Sequence, residues 1–385
     1  MKVLILANKS TGLYKFRGEL LNALIANKHE VYLSVPNGDF IAEMQQMGCR
    51  FIDTEISRHG VNPVTDMKLL ARYVSIIKSV KPDIVFTYTI KPNIYGGVAC
   101  QLCKVPYVAN VTGLGTAVEN GGVLQKITLA LYKTGLRKAQ KVFFQNQANL
   151  DFLVKHKVVK NNYALLPGSG VNLERFSPLP YPAEEDGIHF VFISRIMREK
   201  GIEQYLDAAQ HCKAAESAEA PASCHPERSS SGVEGSCAVL KTTFHVCGYC
   251  EKEYQGKLDE LVANGTVVYH GMVRDVREIL AKTHCTIHPS FYPEGISNVL
   301  LESSACARPV ITTDRSGCRE VLDDGINGFI VKQRDSADLI EKVEKFLALP
   351  HEQKMKMGVA GRAKVEKEFD RQIVVKAYLN ELENV

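Results

Sequence analysis

The sequence predicts an α/β protein of two doubly wound domains, and three observations predict it. Short apolar runs of strand length alternate with amphipathic stretches from the first residues onward. The alternation starts afresh at His189, beyond a stretch rich in glycine and proline between Pro167 and Pro182. The 385 residues also exceed what one hydrophobic core usually organises, about 250–300 residues.

Along the first half, residues 2–7 read as an apolar strand, 16–27 as an amphipathic helix and 30–36 as the next strand. Residues 40–47 read as helix and 50–52 as strand. Residues 65–80 form a longer helix whose Leu69, Leu70, Tyr73, Ile76 and Ile77 share one face. Strands follow at 84–88 and 107–111, with a helix at 98–103 between them. Strands buried on both faces of a parallel sheet are this continuously apolar. Residues 121–142 set Leu124, Ile127, Leu131 and Leu136 among Lys126, Lys133, Arg137, Lys138 and Lys141. They read as one amphipathic helix, which either lies on an anionic bilayer or packs the core with a basic outer face.

In the second half, strands are expected at 189–193, 243–247, 267–269, 285–288 and 309–312, and a terminal amphipathic helix at 373–382. Residues 216–238 break the pattern. They are small, polar and without periodicity, too poor in apolar area to order themselves, and are expected to form a flexible surface loop.

Hydrophobic residues at 45% and charged residues at 23% describe an ordinary soluble chain. No apolar run is long enough to cross a bilayer. The opening residues lack the length and cleavage site of a signal peptide, so a cytoplasmic protein is expected. Cys100-x2-Cys103 and Cys247-x2-Cys250 have zinc-like spacing. One pair falls in a helix and the other at a strand end, so reduced, buried thiols fit better. Residues 1–170 hold 21 Lys+Arg against 10 Asp+Glu, and the remainder 26 against 33. A basic first half asks for an anionic partner. It lacks the aromatic-interleaved clusters or recognition helix of a nucleic-acid binder, so nucleic acid is not expected.

The chemically pointed stretch is 291–302, where Glu294 and Glu302 stand eight residues apart. A strand ends at His288, Pro293 and Gly295 open a loop, and Ile296, Val299, Leu300 and Cys306 begin a helical stripe. Free amides at a helix start attract anions, diphosphate above all. Eight residues of helix rise about 12 Å, the span from sugar to ribose in a nucleotide sugar. Glu294 is therefore expected at the sugar and Glu302 at the ribose. Alone, two glutamates at this spacing read equally as a solvated helix face.

Arg195 ends the strand that begins at His189, and Lys200-Gly201 follows. Ligands of open α/β sheets bind beyond the carboxyl ends of the strands. Arg195 and Lys200 would there clamp a diphosphate from two sides. Charge growing on a departing diphosphate would be stabilised by both cations and by the amides of Gly295, Ile296 and Ser297. No carboxylate pair is placed for a divalent ion, so neither metal nor cofactor is expected.

With Pro289-Ser290 before it, the Glu-x7-Glu stretch resembles the signature of retaining nucleotide-sugar glycosyltransferases of the GT-B fold, glycosyltransferase family 4 type. Arg195-x4-Lys200 is similar to that family's diphosphate clamp in spacing and position. The resemblance implies two Rossmann-like domains with a cleft between them. Residues 1–170 would bind the acceptor and 171–368 the nucleotide sugar, with 369–385 a helix crossing back to the first domain. It also implies front-face attack with retention, with Glu294, Arg195 and Lys200 catalytic and no covalent nucleophile. Gly248 and Gly271-Met272-Val273 resemble loops beside the donor, with Val273 at the uracil edge; ordinary turns read the same way. Gly317-x2-Glu320 fits too, with Glu320 a lesser donor candidate. Gly12, in Ser10-Thr11-Gly12-Leu13, joins a strand to a helix where a donor or acceptor phosphate would approach.

Ser57-Arg58-x3-Asn62-Pro63, Gly113-Leu114-Gly115 and Gly170-Val171-Asn172-x3-Phe176 are similar to stretches of bacterial enzymes that extend undecaprenyl-diphosphate-linked saccharides. That likeness implies a UDP-sugar donor, UDP-N-acetylhexosamine with GalNAc favoured, and a lipid-linked saccharide acceptor. Arg17, Arg58, Lys91, Thr112 and Gly113 would lie on the acceptor side; Thr112 stands where the nearest members carry a glutamate. The basic first half would then meet an anionic membrane surface, placing the protein peripherally on the inner face of the cytoplasmic membrane. Two rivals remain: a nucleotide-sugar epimerase of the same fold, and a nucleotide-sugar-binding protein without turnover.

Overall fold

A computed structural model describes residues 1–57, 62–115, 118, 121–218 and 241–385. The chain divides into two compact units. The first comprises Met1–Asn172, Pro293–Asn298 and Glu368–Val385; the second comprises Leu173–Tyr292 and Val299–Lys367.

In the first unit, β1 (Lys2–Leu6), β2 (Glu30–Val35), β3 (Arg50–Asp53), β4 (Ile84–Tyr88), β5 (Tyr107–Val111), β6 (Lys141–Phe144) and β7 (Tyr163–Leu165) form a 7-stranded sheet. The order is β3-β2-β1-β4-β5-β6-β7, parallel throughout. The crossovers are α1 (Ser10–Ala26), α2 (Ile41–Gln46), α3 (Pro63–Val80), α4 (Gly97–Cys103), α5 (Gly122–Leu136) and α6 (Gln147–Lys155). α3 shows why these segments are helices. Asn62 caps it by accepting from the amides of Val64 and Thr65, and Pro63 starts its first turn. Leu69, Tyr73, Ile76, Ile77 and Val80 then bury one face. The strand order reverses between β1 and β4, so their carboxyl ends form the switch point where such sheets take ligands.

The second unit repeats the plan. β8 (Ile188–Ile193), β9 (Thr242–Cys247), β10 (Val267–Tyr269), β11 (Cys285–His288), β12 (Val310–Thr313) and β13 (Gly328–Val331) form a 6-stranded sheet. Its order is β10-β9-β8-β11-β12-β13, again parallel throughout. The helices are α7 (Ile202–Ala218), α8 (Lys252–Ala263), α9 (Arg277–Leu280), α10 (Asn298–Ala305), α11 (Ser336–Leu347) and α12 (His351–Glu368). Phe190, Phe192 and Phe244 pack with Tyr205 and Leu206 of α7 and with Leu339, Val343 and Phe346 of α11. Here the order reverses between β8 and β11.

The terminal helix α13 (Arg371–Leu382) belongs to the first unit. Its Tyr378 is fully buried, with ring centroids 4.9 Å from Phe86 and 5.0 Å from Phe143. Burying such a side chain contributes about 1.5–3 kcal/mol. Its hydroxyl accepts from Asn110 Nδ2 at 2.8 Å, so the buried polar tip is satisfied. Arg371 ties the start of α13 to α1 through Glu19 at 2.8 Å and to the Gly170 carbonyl at 3.0 Å.

The α/β class and the two parallel sheets are as expected. Three local readings differ. α1 starts at Ser10, so Gly12 lies in a first helical turn rather than in a loop. The helix read over 121–142 stops at Leu136, and Lys141–Phe144 is strand β6. That strand pairs with β5 through Lys141 and Val142 opposite Val108 and Ala109, and its buried run of Val142, Phe143 and Phe144 suits a sheet interior. Of the expected loop at 216–238, residues 216–218 close α7, and the rest lies outside the described residues. Glu216 accepts from the amide and the hydroxyl of Thr242, tying the end of α7 to the start of β9. Among the described residues no helix is long and apolar enough to cross a membrane.

Candidate active site

In the second unit the site grows from the end of β8. The ladder continues past the strand, with the Ser194 amide donating to Cys247 O at 3.0 Å and the Ile196 amide to Tyr249 O at 2.8 Å. This aligns Arg195 at the carboxyl end of the sheet. A short 3-10 turn, Arg198–Lys200, then ends at Gly201 with φ +77. A side chain at Gly201 would also collide with the Pro289 carbonyl, so only glycine fits this turn. The tight turn sends Lys200 inward, where it is 8% exposed.

Lys200 and Arg195 converge on one ring. The Lys200 Nζ lies 4.8 Å and the Arg195 guanidinium carbon 5.7 Å from the centroid of Tyr292. Burial lowers the Lys200 ammonium to about 8; the Cys318 thiol opposes that fall and the like charge of Arg195 adds to it. Arg195 itself is half exposed and touches Glu251 at 3.9 Å, a surface contact of little energy. Two cations held against an aromatic face concentrate positive charge at the β8–β11 switch point. An arriving diphosphate would restore the full charge of Lys200.

His288, at the end of β11, is 1% exposed, and neither ring nitrogen has a hydrogen-bond partner among the described residues. Burial, and then the charge of Lys200, push its imidazole down to about 3, so it is neutral. Val273 sits on the loop after β10, two strands from β8. That loop is joined to the loop after β9, where the Gly248 amide donates to Gly271 O at 2.8 Å. Glu320 accepts from the Gly317 amide at 2.7 Å and from Ser316 Oγ at 2.9 Å, so its carboxylate shapes its own loop.

Glu294 and Glu302 do not share a helix. α10 begins only at Asn298, because Pro293 and Gly295 hold the preceding residues in a loop. Glu302 lies four residues into α10, about 6 Å along its axis. Glu294 belongs to the loop Pro293–Asn298, which is part of the first unit.

In the first unit that loop lies over the carboxyl ends of β5 and β6. Gly295 approaches so closely that an added Cβ would collide with the Gln145 side-chain oxygen and lie 2.7 Å from Thr112 O. A Cβ on Gly113 would be 3.3 Å from Pro293 O. Asn146 Nδ2 donates to Glu294 O at 2.9 Å and to Gly295 O at 2.8 Å. Thr112 and Gly113 are thus brought together with Glu294 and Gly295. Arg17, 4% exposed on α1, donates to Phe16 O at 2.7 Å and stands 5.0 Å from the Tyr88 ring. Lys91 is engaged by Asp66 at 2.8 Å, whose other carboxylate oxygen accepts from Tyr95 at 2.9 Å. Arg58 lies outside the described residues.

Sequence reasoning missed Tyr292, His288, Gln145 and Asn146. Tyr292 had a signal, an aromatic between a strand end and Pro293. Gln145-Asn146 directly follows β6, a strand whose first two residues the sequence reads as the end of a helix. Among the described residues no group of three or more His, Cys, Asp or Glu could hold a metal ion.

Residues 2–146 match the family described as Glycosyl transferase 4-like, and residues 178–364 match Glycosyl transferases group 1. The chain is 24% identical, over 98% of its length and 97% of the relative's, to the N,N'-diacetylbacillosaminyl-diphospho-undecaprenol alpha-1,3-N-acetylgalactosaminyltransferase of Campylobacter jejuni. It is 23% identical to the capsular polysaccharide biosynthesis glycosyltransferase CapM of Staphylococcus aureus, over 80% of this chain and 79% of that one. The crystal structure of Anabaena Alr3699/HepE in complex with UDP and glucose has the same fold. The TM-score is 0.75 at 17% identity, with 100% of both chains covered.

Proposed function

Since the chain belongs to the group 1, 4-like glycosyltransferases of the GT-B fold, we propose that it moves an N-acetylhexosamine, with GalNAc favoured, from a UDP-sugar to an undecaprenyl-diphosphate-linked saccharide, with retention. The family places it in bacterial glycan assembly. The observation that carries the finer reading is the convergence of Arg195 and Lys200 on Tyr292 at the β8–β11 switch point. That arrangement suits a diphosphate, and HepE, with the same fold, has been crystallised with UDP.

In this reading residues 171–368 bind the donor and 1–170 the acceptor. Arg195 and Lys200 take the diphosphate, helped by the amides of Gly295, Ile296 and Ser297 and by the first turn of α1 at Gly12. Val273 meets the uracil, Glu302 the ribose and Glu294 the sugar. The acceptor hydroxyl oxygen bonds to sugar C1 on the face from which UDP leaves, and its proton passes to the departing phosphate. The cations stabilise the charge that grows as the C1–oxygen bond breaks, where stabilisation raises the rate. Arg17, Arg58, Lys91, Thr112 and Gly113 serve the acceptor side.

α5 supports the lipid-linked acceptor. It packs the core through Thr128, Tyr132, Gly135 and Leu136, and exposes Val123, Leu124 and Ile127 beside Lys126. Apolar side chains among lysines suit an anionic bilayer and support a peripheral position on its inner face.

The test is a panel of UDP-sugars incubated with a bacterial lipid extract, followed by mass spectrometry. The expected result is UDP release together with a lipid-linked saccharide heavier by one N-acetylhexosamine. Interconversion of the free donor without transfer would indicate an epimerase and overturn the proposal.

A further inference from the structure

Asn146 is 2% exposed, and its carboxamide makes hydrogen bonds at two places. Its Oδ1 accepts from the Asn149 amide at 2.9 Å and so caps α6. Its two Nδ2 protons go to two consecutive carbonyls, Glu294 at 2.9 Å and Gly295 at 2.8 Å. The neighbouring Gln145 walls the same loop, through the close approach at Gly295. Gln145 Nε2 donates to Asn110 Oδ1 at 3.3 Å, and Asn110 Nδ2 donates to Tyr378 Oη at 2.8 Å. The loop therefore rests on buried amides backed by the terminal helix.

We propose that Asn146 is a positioning residue for transfer: anchored by its cap on α6, its carboxamide holds the Glu294 and Gly295 carbonyls and so sets the direction of the Glu294 side chain and of the amides that follow. Within each trans peptide unit the N–H points opposite to the C=O, so the Glu294 and Gly295 carbonyls pinned on Asn146 turn the N–H groups of Gly295 and Ile296 away from it. The inference rests on the reading of Glu294 as a donor-site residue. The plain alternative is a helix cap that merely touches the loop.

One substitution separates the two. Asn146→Asp keeps the oxygen that caps α6, and aspartate caps as well as asparagine. It removes both donors and sets a carboxylate against two carbonyl oxygens. Two readouts are compared with the wild type on the full chain. In hydrogen–deuterium exchange, the peptide covering 293–298 is expected to exchange about tenfold faster, with the α6 peptide unchanged. In the transfer assay, kcat is expected to fall at least about tenfold while KM for the UDP-sugar moves less than about threefold, since a misplacement near 1 Å can cost that much or more. Asn146→Ser, which can cap but cannot reach, should behave alike. Unchanged exchange at 293–298, or an unchanged kcat in folded protein, would overturn the proposal. If the wild type turns over no UDP-sugar, the substrate reading fails by itself and the exchange result still decides the clamp.

Discussion

The ammonium of Lys200 lies 4.8 Å from the centre of the Tyr292 ring. Lys200 is also buried, with its pKa lowered to about 8. A buried cation of this kind costs the empty protein stability and is repaid when an anion arrives.

The first prediction follows from that pKa. Between neutral pH and pH 9 the empty site loses its Lys200 proton, while bound diphosphate holds it. UDP affinity measured by calorimetry should fall as pH rises through about 8. Lys200→Ala should weaken UDP binding at pH 7 by about tenfold or more and flatten that pH dependence. The empty protein should gain stability as pH rises from about 8 toward 10.5, because the unfolded lysine keeps its proton there while the folded one gives it up. Lys200→Met should accordingly raise the unfolding free energy of the empty protein by roughly 1–3 kcal/mol at pH 7.

Glu294 sits in a loop whose backbone is held through its carbonyls, so shortening its side chain leaves those bonds intact. Glu294→Ala should keep the thermal midpoint within a few degrees and lose at least about a hundredfold in the initial rate of transfer. Normal turnover would remove this residue from the site.

A chain of imidazoles crosses the outer half of the second sheet. His189 Nδ1 meets His245 Nε2 at 3.0 Å, and His245 Nδ1 meets His270 Nε2 at 2.9 Å. His284 Nδ1 accepts from the His189 amide at 3.0 Å, so protonating it breaks that bond. Burial, reinforced for His245 by His189, His270 and Lys282, lowers His245 to about 4; burial likewise brings His284 to about 4. Asp186 pulls His189 and Glu184 pulls His284 the other way, while Lys241 and Lys354 oppose protonation. The folded rings stay neutral where the unfolded ones, with a pKa near 6.5, take up protons. Stability is therefore complete above about pH 6.5 and falls as pH drops toward 4, by about 2–4 kcal/mol for the set. Urea midpoints at pH 7.5 and 4.5 measure this, and His245→Gln should reduce the difference.

Val123, Leu124 and Ile127 are 74%, 45% and 45% exposed on α5. Replacing all three by serine should lower co-sedimentation with vesicles containing an anionic phospholipid by about tenfold, with little change toward neutral vesicles. Equal binding by the triple variant would remove α5 as the membrane face.

Much of this was legible because strands buried on both faces carry continuous apolar runs, as β4 and β8 do, and because loops after them are punctuated by glycine and proline. That punctuation put Arg195 at a strand end and Lys200 and Glu294 in the segments after strands; the family resemblance singled them out as a site. Where local pattern was ambiguous, tertiary pairing decided. Lys141 and Val142 continue a helical stripe, yet pairing with β5 makes them the start of a strand, and with that strand went Gln145 and Asn146. Gly12 suggested a loop, but a first helical turn tolerates glycine. The imidazole chain joins residues far apart in sequence and left no motif to read.

The most direct test is a crystal structure of the protein with UDP. Its diphosphate should lie within hydrogen-bonding reach of Arg195 and Lys200, at the carboxyl ends of β8 and β11. A nucleotide bound at the ends of β1 and β4 instead, with those two side chains uninvolved, would contradict the account.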